Sequence, residues 1–433
     1  MFSYYSRMAL ISMKRNPMLT LLMVLCIAVG IGASTTTVTV NYTMSADPIP
    51  EKSRSLYHVQ LDNWSPDETF YRSEPDSLPD QLTWIDAINL LKAKRATRQV
   101  VMTSSEVIVE PDSQDIQSFR ASARLASSSF FSMFNAPFLY GSGWEESSDL
   151  SREQVVVISR NLNERLFGGE NSVGKTLKLE RQNFRILGVL DNWRPLPRFF
   201  DVTTDPFGEV EQLVLPIGLK ESMELPYKGN VGCWKDPEGE GFSAFLNSEC
   251  VFNQMWVELP GSSDVSNYQA FLDNYISEQK EYGRFPRPLK SQLMDVMTWL
   301  DYQRVVARDA KIMLWLSAMF LAVCLLNTIG LLMAKLATKS KEINIRKSLG
   351  ASQTDLFYQF TVETGFVGFF GGLMGLLFAY VSLQQVKHLY GSFGSASITL
   401  DFPMIALAMI TALLASILAG LYPTWLAAKK VAA

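Results

Sequence analysis

Residues 169–176 read GENSVGKT, which meets the phosphate-loop spacing G-x-x-x-x-G-K-[ST] with Gly169, Gly174, Lys175 and Thr176. Such a loop would cradle ATP phosphates on backbone amides, with the lysine reaching the terminal phosphates. It works only between a buried strand and a helix, because the helix N-terminus supplies the amides and the dipole. Here RNLNERLFG, before the string, reads as a helix and KTLKLE, after it, as a strand. The order is inverted, so the string is read as a glycine-containing turn with Lys175 in solvent. Other chemistry-bearing residues are sparse. The two histidines, His58 and His388, are far apart, which gives no histidine metal cage or Ser/His/Asp triad. Without a nucleophile–base pair or a metal cluster, the reading is of a non-catalytic chain with no cofactor of its own.

Four apolar runs decide the class of this 433-residue, 48% apolar chain. They cover residues 17–40, about 312–333, 365–383 and 402–427, and each has the roughly 20 residues that a helix needs to cross the hydrocarbon core. Lipid satisfies no backbone polar group, so each run is expected as a helix. The first run is too long for the apolar core of a signal peptide. Lysine and arginine excess marks the cytoplasmic side. Arg7, Lys14 and Arg15 precede the first span without an acid. Lys335, Lys339, Lys341, Arg346 and Lys347 lie between the second and third, and Lys429 and Lys430 follow the fourth.

The expected order is a cytoplasmic segment 1–17, spans 18–42, 310–334, 361–385 and 402–427, an external domain 43–309, a cytoplasmic loop 335–360, a short external loop 386–401 and a cytoplasmic tail 428–433. Formal charge splits along this division. Residues 1–42 carry +3 and residues 310–433 carry +5, which leaves 43–309 at -12 within a chain of net -4. An acidic external domain argues against a nucleic-acid partner. Cys233 and Cys250 lie there in a Gly/Pro-rich stretch and are expected as a disulfide in an oxidising compartment, the alternative being two free thiols.

The external domain alternates short strands and helices. LYHVQL, VVMTSSEVIVE and FRASARLAS read as strands and LTWIDAINLLKAK as a helix. A second group follows, with the strand VVVIS and a hairpin of KTLKLE and NFRILGVL turning at Arg181–Gln182. Residues 194–250 read as long loops, before a strand at 251–260 and a helix at 267–280. The expected fold is a membrane protein with four transmembrane α-helices and a large α+β domain between helices 1 and 2, built of two small lobes, the second inserted in the first.

The segment LATKSKEINIRKSLGASQTDLFYQF (336–360) is the most informative polar stretch. Glu342 and Arg346 are four apart, in the favourable order for a helical ion pair. Lys347 suits the last turn, Gly350 a helix C-terminus, and Ser352 with Asp355 a capping box for the next helix. Pattern alone leaves two readings open. One is a basic helix-turn-helix resting on lipid headgroups. The other is a docking element in which Lys341, Glu342, Arg346, Lys347 and Gly350 frame apolar contact by Ile343, Ile345 and Leu349.

The string KEINIRKSLGASQTDLFYQF resembles the cytoplasmic signature of MacB/FtsX-type ABC transporter permeases, in which REIGIR-A-GA joins the second and third spans. The stretch VVVISRNLNERLFGGENSVGKTLKLERQNFRILGVL is similar to their periplasmic core domain, with its "LFG … VGK" turn. The topology is theirs as well. Asn344 replaces the signature's small residue and Lys341 its first arginine. The resemblance implies a bacterial inner-membrane subunit with both termini cytoplasmic and the large domain in the periplasm. It would work with a cytoplasmic ABC ATPase dimer that binds ATP and Mg, and with a second permease of the same or a related kind. MacB carries its ATPase ahead of the first span. Only about 17 residues precede that span here, so the ATPase is expected on another polypeptide.

The resemblance further implies mechanotransmission. ATP-driven closure would press on the loop, and the first two spans, extended outward as a stalk through LDYQRVVARDAK, would carry the motion to the external domain. Export through a periplasmic adaptor and an outer-membrane duct is the leading expectation. Lipoprotein extraction, and signalling to a cell-wall hydrolase, are the alternatives. Within the bilayer, Gly368, Gly371, Gly372 and Gly375 form two small-xxx-small faces, with Ala415 and Ala419 as the expected matching face on the fourth span. Glu363 is expected to serve structure rather than proton transfer.

Overall fold

The computed structural model describes residues 2–72, 75–112, 116–288, 290–306, 308–389 and 401–429. The chain divides into two compact units, Met1–Ser45 with Val306–Ala433, and Ala46–Val305. The first unit opens with α1 (Phe2–Arg15) and α2 (Pro17–Ser45).

The second unit is α+β. Its elements are β1 (Leu56–Leu61), β2 (Leu82–Thr83), α3 (Trp84–Ala93), β3 (Arg98–Glu110), β4 (Phe119–Ala126), α4 (Phe130–Met133), β5 (Phe138–Gly141), α5 (Glu146–Ser151), β6 (Val155–Ile158) and α6 (Arg160–Phe167). These are followed by β7 (Thr176–Leu179), β8 (Gln182–Leu190), a 3-10 turn at Phe199–Asp201, β9 (Leu213–Pro216), α7 (Leu219–Ser222), α8 (Phe242–Leu246), β10 (Val251–Glu258), α9 (Ser262–Glu281), β11 (Ser291–Asp295) and α10 (Val296–Tyr302).

The strands form one mixed sheet in the order β11-β1-β10-β3-β4-β9-β6-β8-β5. The second strand group is inserted between β4 and β10 in the chain, but it is not a separate lobe. β4 pairs β9 in parallel, β9 pairs β6, β6 pairs β8, β8 pairs β7, and β7 returns to β3 at Val109 and Glu110. With β3 paired to β4, six strands close on themselves as a small barrel. A single core runs through both groups, from Val59 and Met255 to Val156, Phe184 and Leu213. Two lobes were expected because strand groups separated in sequence suggest separate sheets; the β3–β7 and β4–β9 pairings join them.

Two further sequence expectations shift. The hairpin turns at Glu180–Arg181, one residue earlier than read, because these two residues take left-handed φ of 46° and 63° as a primed two-residue turn requires. The stretch read as loops contains β9, fully buried at the centre of the sheet.

Buried charges knit this unit. Arg124 on β4 lies 2.6 Å from Asp201 and also pairs Glu211, which accepts from Arg198 at 3.2 Å. Gln254 on β10 donates to Asp201 at 2.9 Å, and Ser104 on β3 donates to Glu211 at 3.1 Å. Lys220 on α7 is fully buried too, but without a carboxylate. Its Nζ has no hydrogen-bond partner among the described residues and sits 5.7 and 5.6 Å from the rings of Phe242 and Phe252. Burial lowers its pKa from the ordinary lysine value to about 7.

The unfolded chain therefore holds a proton that the folded chain releases between pH 7 and the ordinary lysine value. Folding stability rises with pH across that window, at roughly 1.4 kcal/mol per unit. Lys220→Met is expected to stabilise the unit at pH 7, with the gain shrinking as pH approaches 10. Urea midpoints of the two chains, measured across this range, check it.

The first unit resumes with α11 (Arg308–Thr338), α12 (Ser340–Ser348), α13 (Gln353–Leu389) and α14 (Phe402–Lys429). Helices at Pro17–Ser45, Ile312–Thr338, Gln353–Val386 and Phe402–Leu426 are long and apolar enough to cross a membrane. Residues 390–400 of the expected short loop and 430–433 of the expected tail lie outside the described residues. The stretch LDYQRVVARDAK does not continue α11 outward as a helix. α10 ends at Tyr302, Arg304 takes φ 50°, and α11 starts at Arg308. The reason is that α10 serves the α+β core, with Trp299 buried and stacked on His58 at 3.8 Å.

Glycine positions explain how the spanning helices approach. A Cβ on Gly371 would lie 2.7 Å from Ile27 Cγ2, and one on Gly375 2.9 Å from Ile31 Cγ2, so this pair faces α2. Gly368 and Gly372 face α14 at Ser416 and Ala412. The matching small face is therefore Ala412 and Ser416 rather than Ala415 and Ala419. A composition pattern shows that small residues recur four apart on α14, but not which row is rotated toward α13.

Candidate functional site: the α12 surface

The phosphate-loop string occupies the turn from α6 to β7. Ser159 caps the start of α6 by accepting from Leu162 N, and Gly168 ends it with φ 66°. Asn163 then ties the turn down, donating to Glu170 O at 2.9 Å and accepting from Ser172 Oγ at 2.6 Å. Lys175 is exposed, 5.1 Å from the Phe167 ring, and Thr176 already belongs to β7. No helix opens after Lys175, so no amide cluster faces a phosphate.

The polar segment between α11 and α13 has a different character. Glu342 and Arg346 pair at 2.6 Å on α12, and Arg346 also donates to Gln359 on α13 at 2.8 Å. Gly350, with φ 95°, ends α12, where Ala351 N reaches back to Arg346 O at 3.0 Å. Ser352 and Asp355 then cap α13 reciprocally, at 3.1 and 3.2 Å. A rigid helix, a tight turn and a capped helix result, all from residues within a few positions of one another.

The three apolar residues read as docking contacts divide. Ile343 is buried among Leu336, Leu356 and Phe360 and faces inward, so it is not part of an outer surface. Ile345 is 61% exposed and Leu349 82% exposed. A helix of nine residues cannot turn 343 and 345 to the same side, since two residues span about 200° at 3.6 per turn. Lys341 is exposed beside them. Lys347 lies in the last turn of α12, and its side chain is outside the described part of the structure. Cys233 and Cys250 are joined by a disulfide in the α+β unit.

Sequence reasoning missed α1. FSYYSRMALISMKR places Lys14 and Arg15 in its last turn, a signal that was available before the first apolar run, and in the fold it buries Ala9 and Ser12. Arg15 lies 3.3 Å from Glu342, and Tyr5 donates to Asp355 at 3.0 Å. That hydrogen bond holds the Tyr5 phenol above its usual range. Between α1, α12 and α13 lies a cavity of about 40 Å³, lined by Ser12, Arg15, Glu342, Arg346 and Gln359, of a size for water rather than substrate. Beneath it, Glu363 is buried against Lys335 and Lys339 and does not reach water at the interface.

The α+β unit carries a groove of about 620 Å³ walled by Trp84, Ile88, Leu91 and Leu150, in the size range of drug-like ligands. The Lys94–Glu146 pair, at 2.5 Å, is part of its lining. Among the described residues no group of three or more His, Cys, Asp or Glu is placed to hold a metal ion.

Residues 20–266 match the family described as MacB-like periplasmic core domain, and residues 314–432 match FtsX-like permease C-terminal. The chain is similar to the macrolide export ATP-binding/permease protein MacB of Bdellovibrio bacteriovorus, at 21% identity over 55% of this chain and 32% of the relative. It is 22% identical to the MacB of Psychrobacter cryohalolentis over 67% of this chain and 38% of the relative. With the pyoverdine export ATP-binding/permease protein PvdT of Pseudomonas syringae it shares 22% over 69% and 40%. The chain thus spans about a third to two fifths of the length of these relatives. Among solved structures, the periplasmic region of MacB from Actinobacillus actinomycetemcomitans aligns with 60% of this chain and 96% of its own, at 15% identity and TM-score 0.38.

Proposed function

We propose, from the premise that this chain belongs to the family of ABC permeases with a MacB-like periplasmic core domain and an FtsX-like permease C-terminal region, that it is driven by a separate cytoplasmic ATPase. The exposed Ile345 on α12 and Leu349 in the turn directly after it carry the reading. Two large apolar side chains at the end of a charged helix and in its turn, held by the Glu342–Arg346 pair and the Gly350 turn, suit a protein partner better than water. An ATPase pair docks there, under two permeases, and its closure moves α12. The motion is delivered to the α+β unit, which drives export from the periplasm through an adaptor and an outer-membrane duct. Both termini lie in the cytoplasm of a bacterial inner membrane. The relatives' names support export, as one is named for macrolides and another for pyoverdine.

The test is a mild-detergent pull-down of the tagged chain from its native membrane, with partners identified by mass spectrometry. The native chain is expected to bring an ATPase, an adaptor and a duct. Leu349→Asp is expected to lose the ATPase at unchanged expression and keep the adaptor, whereas Ile343→Asp lowers the amount of folded chain. A buried charge there is uncompensated, while at residue 349 it meets only solvent. A native chain that recovers no ATPase overturns the reading. Recovery of a lipoprotein carrier or a wall hydrolase in place of the adaptor replaces export with extraction or signalling.

A further inference from the structure

Lys339 is the single residue between α11, which ends at Thr338, and α12, which begins at Ser340. A one-residue joint between two helices is where a push on the second would be lost as bending. Here the joint is pinned from within. Glu363 Oε1, on α13, accepts from Ser12 Oγ on α1 at 2.6 Å and lies 2.5 Å from Lys335 Nζ, one turn before the joint. Lys339 Nζ lies 3.6 Å from the same oxygen and also bonds Ser12 Oγ. Lys335 continues to Thr20 on α2 at 3.0 Å. One carboxylate oxygen thus gathers α1, α11 and the joint, and through Lys335 it reaches α2. The Lys335 and Glu363 side chains are 1% and 3% exposed.

Apolar packing alone would join these helices at no desolvation cost, and a buried ion pair is often no more stabilising than well-packed apolar residues. What the pair adds is direction. Lys335 in the last turn of α11 and Lys339 at the joint both reach Glu363 Oε1, which holds the two to a single point. Moving the joint away from Glu363 would leave a buried carboxylate unpaired, so the arrangement resists bending more than it resists translation as a body.

We propose that Glu363 is a positioning residue that clamps the α11–α12 joint, so that displacement of α12 moves α11 and α13 together. The proposal rests on the reading that an ATPase docks on α12. It concerns transmission through the joint, not docking.

The test uses the full chain with its ATPase in lipid nanodiscs. Spin labels are placed at the exposed Trp315→Cys on α11 and Leu407→Cys on α14, in a chain carrying Cys26→Ala and Cys324→Ala, and the inter-label distance is measured with and without an ATP analogue. The native clamp is expected to give a nucleotide-dependent distance change. Lys335→Met with Glu363→Met is expected to keep ATPase assembly and ATP hydrolysis and to lose that change. If the double variant keeps the distance change, the clamp is only packing and the proposal falls. Should the double variant fail to assemble, Glu363→Gln and Glu363→Asp decide. Loss in Gln with retention in Asp supports the clamp, and retention in Gln overturns it. A native chain that binds no ATPase overturns the docking reading and the clamp with it, whereas bound ATPase with motion indifferent to Glu363 overturns the clamp alone.

Discussion

Arg124→Met is expected to cost the α+β unit about 3–5 kcal/mol, the usual penalty for removing one partner from a buried ionic cluster. The guanidinium is fully buried, and its loss would leave Asp201 and Glu211 facing Arg198 alone. Burial opposes ionisation of both carboxyls, but Arg124 and then Arg198 outweigh it and hold them below their ordinary range. In the native chain these depressed groups contribute stability that is present above the unfolded carboxyl pKa, near 4, and is lost as pH falls through the folded values.

In the variant the sign reverses. Without Arg124, burial raises the carboxyl pKa values, the folded state takes up protons first, and its stability falls as pH rises from 4 toward 7. The deficit relative to the native chain is therefore largest near pH 7 and smaller near pH 4. Urea unfolding followed by near-ultraviolet circular dichroism reads it, since Trp256 bonds Phe200 O beside the cluster at 3.2 Å. An equal deficit at both pH values would remove the carboxylates from the explanation.

Gly371→Leu is the second large effect. Even a bare Cβ at 371 would stand 2.7 Å from Ile27 Cγ2, and α2 is held there by Gly375 as well. Neither helix can back away without opening the contact at the other glycine. Overpacking usually costs about 1–3 kcal/mol and more where the backbone cannot shift, so the leucine is expected to prevent a native four-helix unit. Gly371→Ala should lower the thermal midpoint in nanodiscs measurably. Gly365→Ala, where nothing lies within 4 Å of an added Cβ, should leave it unchanged or raise it, since alanine is the better helix former. Equal effects at 365 and 371 would mean that helix propensity, not close approach, governs the glycines.

These expectations differ in how much of them could be read before the fold was known. The four apolar helices were legible because about 20 apolar residues in a row is a property of local composition. The α12 turn was legible for a similar reason: the Glu342–Arg346 pair, the Gly350 stop and the Ser352–Asp355 cap each involve residues at most five apart. GENSVGKT could be dismissed as a nucleotide site from the helix before it and the strand after it.

Only the tertiary structure decided the rest. β9 has four residues in a Pro/Gly-rich stretch, and it is a strand because β4 and β6 flank it. The barrel closes through β7 meeting β3, a pairing between residues about 70 apart. Rotation about the helix axis separates buried Ile343 from exposed Ile345, and places Ala412 and Ser416 rather than their neighbours against Gly368 and Gly372. Glu363 shows the limit most plainly: its partner Ser12 lies 351 residues away in the chain. Local pattern reports what a residue prefers within a turn or two of chain. Which distant group shares a buried site with it depends on how whole helices and strands pack, and there the cost of an unpaired buried charge sets the pairing.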